Sequence, residues 1–147
     1  MSSQPFTPFQ VTLPGHPDRE LTPNQKARHG HWSQRSKPVA AARQEAATES
    51  RNQLGHTPPD CEGSTISLRV LMLYKKGEQT LDLDNAIAAL KPYIDGIFDY
   101  LKDGGDLKVD DRQIEALSIS RAQSEVSQTI YRFFDLRSLS DDSRDAF

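Results

Sequence analysis

Two aspartates set one residue apart, Asp82 and Asp84 in Leu81-Asp82-Leu83-Asp84-Asn85, are the first residues of this chain whose types and spacing point to chemistry. In an extended segment, residues two apart project to the same side, so both carboxylates face one way. Lys91, Asp95 and the pair Asp110-Asp111 follow. Positions 91 and 95 lie seven and eleven residues after Asp84. At about 100° per residue both return to within ~20° of the same helix face. Carboxylates brought together repel unless a proton or a cation intervenes. Mg²⁺ takes hard oxygen ligands, keeps several waters and binds a few carboxylates plus a substrate phosphate. Such an ion polarises a phosphodiester, lowers the pKa of a bound water and stabilises the departing oxygen. A nearby lysine adds a fixed cation for charge that develops in the transition state. The same aspartates also serve as helix caps and turn formers, and spacing alone favours that commoner use. A calcium loop is a poorer reading. Started at Asp82, it places Ala86 and Ile87 where an oxygen ligand and a glycine are needed.

These residues need elements to hold them. Phe9-Gln-Val11-Thr-Leu13 alternates apolar and polar residues before Pro14 and predicts a short first strand. A Gly-, Pro- and His-rich loop runs from Pro14 to Trp32. Ser36-Lys37-Pro38 predicts a helix start, with Val39, Ala42, Ala46 and Ala47 as its apolar face and Gly55 as its stop. Those small side chains let the helix lie close to a sheet. After a turn-rich stretch from Gly55 to Gly63, Ile66, Leu68, Val70, Met72 and Tyr74 keep a strict period of two. Leu71 and Leu73 on the other face predict a central strand covered on both sides. Ile87, Leu90, Ile94, Ile97, Phe98 and Leu101 form a helical stripe that Gly104-Gly105 ends. Pro92 predicts a kink or a restart near Lys91. Ile114 to Arg121 reads as a third strand, able to lie beside the second and bring Asp111 to the Asp82–Asp84 end. Ile130 to Leu136 reads as a fourth. The order is β-α-β-α-β-β: one α/β domain with two main helices on a mixed sheet, spanning residues 9–137. Residues 1–8 and the acidic stretch 138–147 are expected to be flexible termini.

Composition narrows the class of function. The chain has 147 residues and one cysteine, Cys61, which excludes an internal disulfide framework and a cysteine-built zinc site. No apolar run is long enough to span a bilayer, and the polar N-terminus does not read as a signal peptide, so a cytoplasmic protein is expected. The net charge of −3 is unevenly spread. Residues 1–76 carry +4 and residues 77–147 carry −7. A basic half can meet phosphates while an acidic half holds divalent cations, although an uneven surface is also ordinary.

Taken in order, Asp82-Leu-Asp84-Asn85, a helix bearing Lys91 and Asp95-Gly96-Ile97, and Asp110-Asp111-Arg-Gln113-Ile114 resemble the RusA-like Holliday junction resolvases, the crossover junction endodeoxyribonucleases. The upstream Leu21-Thr-Pro-Asn-Gln-Lys-Ala-Arg-His-Gly-His-Trp32 and Arg35-Ser-Lys-Pro-Val-Ala-Ala-Ala-Arg43 resemble the loop and first helix of phage and bacterial members. The similarity covers roughly residues 9 to 121. It implies a Mg²⁺-dependent nuclease, with Mn²⁺ able to substitute, that resolves branched DNA by paired symmetric nicks in recombination and repair. By that resemblance Asp82, Asp84 and Asp111 bind the metal and Lys91 is the catalytic lysine, with Asp95, Asp110 and Asn85 in support. A homodimer on four-way junctions is implied as well. The family pattern places its lysine three residues after the Asn, where this chain has Ala88; Lys91 comes three residues later, before Pro92. That departure keeps a second expectation open, a branched-DNA-binding protein without catalysis on the same fold. Lys26, Arg28, His29, His31, Arg35, Lys37 and Arg43 are the expected DNA contacts; the cations among them would neutralise phosphates. Trp32 is expected to anchor the loop. His29 and His31 lack further ligands at zinc-like spacing.

Overall fold

In the computed structural model, the structure describes residues 4–17, 21, 32–102 and 108–139. The elements run in the expected β-α-β-α-β-β order. They are β1 (Phe9–Pro14), α1 (Trp32–Leu54), β2 (Ile66–Tyr74), α2 (Leu83–Leu101), β3 (Ile114–Gln123) and β4 (Gln128–Asp135). Short 3₁₀ turns at Asp111–Gln113 and Leu136–Ser138 flank the last two strands. The four strands form one mixed sheet in the order β1-β4-β2-β3. β4 pairs antiparallel with β1 and β2, while β2 and β3 run parallel. Parallel neighbours need a crossover, and α2 supplies it.

The period of two along β2 has a direct consequence. Ile66, Leu68, Val70, Met72 and Tyr74 are buried and join the core with Val11, Leu13, Tyr131 and Phe133. Leu90, Ile94, Ile97, Phe98 and Leu101 of α2 complete that core. β2 is interior, as its pattern predicts, but among the described residues its second face is only partly covered. Arg69, Leu71 and Leu73 are only half-buried, on a face shared with Arg132, Phe134, Ser118 and Ser120. Arg69 lies over the Phe134 ring at 4.8 Å, which gives that face a partly apolar, cationic character.

Several boundaries differ from expectation. α1 begins at Trp32, a turn upstream of Ser36, so Pro38 lies inside the helix rather than at its first position. The N–H that Pro38 lacks is the one that would reach the Gln34 carbonyl. Gly55 ends α1 as expected, with φ +96° and its N–H on Arg51 O at 2.9 Å. α2 is unbroken from Leu83 to Leu101 despite Pro92, so the helix does not restart at Lys91. It ends before Gly104-Gly105, which lie outside the described residues. Ile87, assigned to the apolar stripe, is 53% exposed. It sits about 60° from Asp84 around the helix, on the rim of the buried face.

The expected loose N-terminus does not extend to Phe6. Its side chain is in the core, its ring lies 5.6 Å from Phe9, and its N–H donates to Asp135 Oδ2 at 3.2 Å. A lone phenylalanine among prolines carries no periodic signal, yet it has one large apolar surface to bury. Residues 1–3 and 140–147 lie outside the described residues.

Candidate metal centre and its surroundings

The Asp82-Leu-Asp84-Asn85 segment sits where the connection from β2 enters α2. Tyr74, the last residue of β2, accepts the Leu81 N–H on its hydroxyl at 3.3 Å, and Arg121 donates to Leu81 O at 3.0 Å. Both partners lie at the carboxyl ends of the parallel strands, so the sheet itself fixes where α2 starts. Asp82 occupies the N-cap position with extended backbone, yet its side chain makes no cap hydrogen bond. Asp84 lies in the first turn. Both are exposed, and among the described residues neither carboxylate has a hydrogen-bond or ion-pair partner. Asn85 is half-buried beside them. The capping use of Asp82 therefore holds for position but not for bonding.

Asp110 behaves in the opposite way. Its carboxylate accepts the Arg112 N–H at 2.8 Å, and Gln113 Oε1 accepts the Asp110 N–H at 2.8 Å, a reciprocal capping box. The Arg112 N–H, then the neighbouring Asp111 side chain and the Arg112 guanidinium, hold the Asp110 carboxyl well below the usual carboxylate range. Gln113 Nε2 reaches the carbonyls of Cys61 and Ser64, both at 2.8 Å, tying the turn before β2 to the start of β3. The Asp-Asp-x-Gln motif thus contains an aspartate and a glutamine that build the turn before β3. Sequence reading missed the glutamine's role, and its only signal was the three-residue offset from Asp110.

Asp111 is left to face α2. Lys91 Nζ donates to Asp111 and, at 2.8 Å, to Asp95 Oδ1. The two carboxylates are about one-third exposed. Partial burial works against the ammonium, but Asp111 and Asp95 outweigh it and raise the Lys91 pKa above its ordinary value. Lys91 is thus held as a cation between two carboxylates. The shared stripe of Asp84, Lys91 and Asp95 is present, all on the side of α2 away from the core.

The expectation that β3 brings Asp111 to the Asp82–Asp84 end is corrected by the register. Because β3 is parallel to β2, Ile114 lies beside Ile66, at the end of the sheet opposite Tyr74. Helix rise separates Asp84 from Lys91 by about 10 Å along the axis. The acidic residues thus form two groups, Asp82 and Asp84 where α2 begins, and Asp95 with Asp111 around Lys91. Among the described residues, no three His, Cys, Asp or Glu side chains are close enough to hold one ion together. The donor chemistry nonetheless fits Mg²⁺, which takes one or two carboxylates and completes its shell with water and phosphate.

The expected DNA contacts divide. Lys26, Arg28, His29 and His31 lie outside the described residues, as do the side chains of Trp32 and Arg35, whose backbones are in α1. Lys37 is exposed on α1. Arg43 is committed elsewhere: its guanidinium forms a two-point pair with Asp99 of α2, Nη2 to Oδ1 at 2.7 Å and Nε to Oδ2. The pair raises the Arg43 pKa and lowers that of Asp99. This geometry corrects the reading of Arg43 as a phosphate contact, because the fork that would take a phosphate is occupied by a carboxylate. Among the described residues, no helix is long and apolar enough to cross a membrane.

No protein-family model matches the chain, and no curated protein matches it.

Proposed function

We propose that this protein is a Mg²⁺-dependent endonuclease acting on branched DNA, of the RusA-like junction-resolving kind. The observation that carries the reading is the pair Asp82 and Asp84. Both are exposed and without a cap hydrogen bond at the start of α2, and Asp84 shares a helix stripe with a lysine already engaged by two further carboxylates. Asp82 and Asp84 are the residues that would hold the metal, with water and the substrate phosphate completing its shell; Asp111, which the resemblance also assigned to it, stands with Asp95 on Lys91. The ion would polarise the scissile phosphate and lower the pKa of its attacking water. Lys91 contributes a permanent positive charge toward the phosphate oxygens, and its partners Asp95 and Asp111 orient it. Asp110 and Gln113 act through the backbone by setting the turn from which Asp111 projects.

A homodimer belongs to the same proposal, since paired nicks on a four-way junction need two sites. Leu83 and Ile87, one turn apart on α2 and 42% and 53% exposed, supply apolar surface for a second copy. The direct test is cleavage of a synthetic four-way junction with Mg²⁺ beside the Asp84→Asn variant. Paired nicking by the parent and at least a hundredfold loss in the variant are expected. An inert parent, or a variant as active as the parent, removes the nuclease reading. Tight junction binding without nicking under any divalent cation would favour a non-catalytic junction-binding protein, the reading that the displaced Lys91 keeps in view.

A further inference from the structure

We infer that a cleft at the carboxyl ends of β2 and β3 binds the phosphodiester backbone of the DNA strand that passes Asp82 and Asp84. Resting on the nuclease reading, it assigns to Lys75, Lys76 and Arg121 a part in holding the substrate. The cleft, of about 340 Å³, lies between the turn after β2 and the last residues of β3, with those three cations in its wall. A second hollow of about 570 Å³ shares Lys75 and Lys76 and continues past Ser124. The two together make a groove that the lysine pair divides. The space outside the carboxyl ends of parallel strands is where open α/β sheets commonly take ligands.

Charge and rigidity favour an anionic polymer here. Arg121 is held from one side only, by Leu81 O at 3.0 Å and Thr80 Oγ1 at 3.4 Å, both through Nη1. Nε and Nη2 have no partner among the described residues. Lys75 and Lys76 are exposed and form no ion pair within 4.0 Å among the described residues. The carboxylate in the first hollow, Glu78, is consumed locally. It accepts the Lys75 N–H at 2.8 Å and the Ser127 hydroxyl, and it faces His16 Nδ1 at 3.6 Å. These bonds hold Glu78 in its charged form and pin the turn, so the lysines are presented on a fixed frame. In the second hollow Glu125 opposes the lysines, which places the stronger positive field at the Arg121 side, next to Leu81 and Asp82. A strand seated there reaches the carboxylates without crossing the core. Lys and Arg contacts to phosphate carry affinity and register but no sequence information.

The test measures binding of a four-way junction by fluorescence anisotropy in Ca²⁺ across a salt series. It compares the parent, Lys75→Gln/Lys76→Gln, and Lys102→Gln. Lys102 is an exposed lysine at the far end of α2, so its variant controls for the loss of a surface charge outside the cleft. The double variant is expected to bind more weakly by a similar factor whatever the junction sequence. Its slope of log K against log salt should fall by about 1 for each lysine, as each phosphate contact is lost. Lys102→Gln is expected to match the parent. An Arg121→Lys variant should keep part of the slope while Arg121→Gln loses it, which separates charge from bracing of Leu81. Unchanged affinity and slope in the lysine double variant would overturn the inference, as would a parent that does not bind the junction. Failure of Mg²⁺-dependent cleavage, with the slope change intact, would remove the nuclease reading alone and leave the cleft as a DNA site.

Discussion

At the scale of single residues, the aspartates that look alike in sequence divide by what their oxygens meet. Asp110 accepts both the Arg112 N–H and the Arg112 Nε on Oδ1 and so fixes its own turn. Asp111, one residue on, turns to Lys91. Asp135 is wholly buried, where burial alone would raise its pKa. The Arg137 guanidinium and the N–H groups of Arg137 and Phe6 reverse that and hold it below its ordinary value. On the proposed nuclease reading, the Lys91 charge is the residue-scale feature whose loss is most informative. Replacing it with alanine is expected to lower junction cleavage by about 10²–10³-fold, the usual cost of removing one positioned electrostatic group. Circular dichroism should stay unchanged, because Lys91 is on the surface. Cleavage within twofold of the parent would deny it a role in turnover.

At the scale of elements, the close contact between α1 and α2 sets where the candidate site can stand. Gly96 faces α1 so closely that a Cβ there would collide with the Arg43 carbonyl and lie 2.8 Å from Ala46 Cβ. The neighbour is backbone, which cannot swing aside. Gly96→Ala gains up to about 1 kcal/mol of helix propensity. Overpacking against backbone costs about 1–3 kcal/mol, so a net loss of stability is expected. A lower urea midpoint with unchanged slope would report it, and a midpoint equal to the parent's would show that the helices can separate freely. Gln53 of α1 works at the same scale. Its amide pairs with both Thr12 N and Thr12 O, at 2.8 and 2.6 Å, and so occupies the outer edge of β1 with a side chain. An edge strand closed in this way is a poorer template for further pairing.

At the scale of the whole molecule, two carboxylates tie separate parts of the chain together: Asp99 joins α2 to α1, and Asp135 joins β4 to the N-terminal segment. Both have folded-state pKa values below the ordinary 3.8. The stability they contribute is therefore present above that value and is lost as pH falls through the lower folded values. Thermal stability should hold down to about pH 4 and drop below it. A melting temperature that starts to fall near about pH 6 would point to other groups. The proposed dimer is also tested at this scale. Ile87→Glu places a charge in the exposed apolar patch, and light scattering should find the variant at the mass of one chain while the parent has twice that mass. A parent of single-chain mass at micromolar concentration would sink the dimer.

Period and punctuation made much of the fold legible in the residues alone. The alternation of β2, the stripe from Leu90 to Leu101 and the stop at Gly55 each express a local rule that acts within a few residues. The aspartate motifs were legible as candidates for the same reason. Four features were not, because each depends on partners distant in sequence. The parallel pairing of β2 and β3 starts β3 at the far end of the sheet from Tyr74, so Asp111 meets Lys91, about two turns along α2, and not Asp82. The fork of Arg43 closes on Asp99, fifty-six residues away. Phe6 is buried because Asp135 and Phe9 receive it. Lys75, Lys76 and Arg121 become one cationic wall only when the carboxyl ends of two strands meet. Local sequence determined which carboxylates are available and which helix carries them. Tertiary register decided which are spent on turns, which are held by Lys91, and which stand uncapped beside a basic cleft.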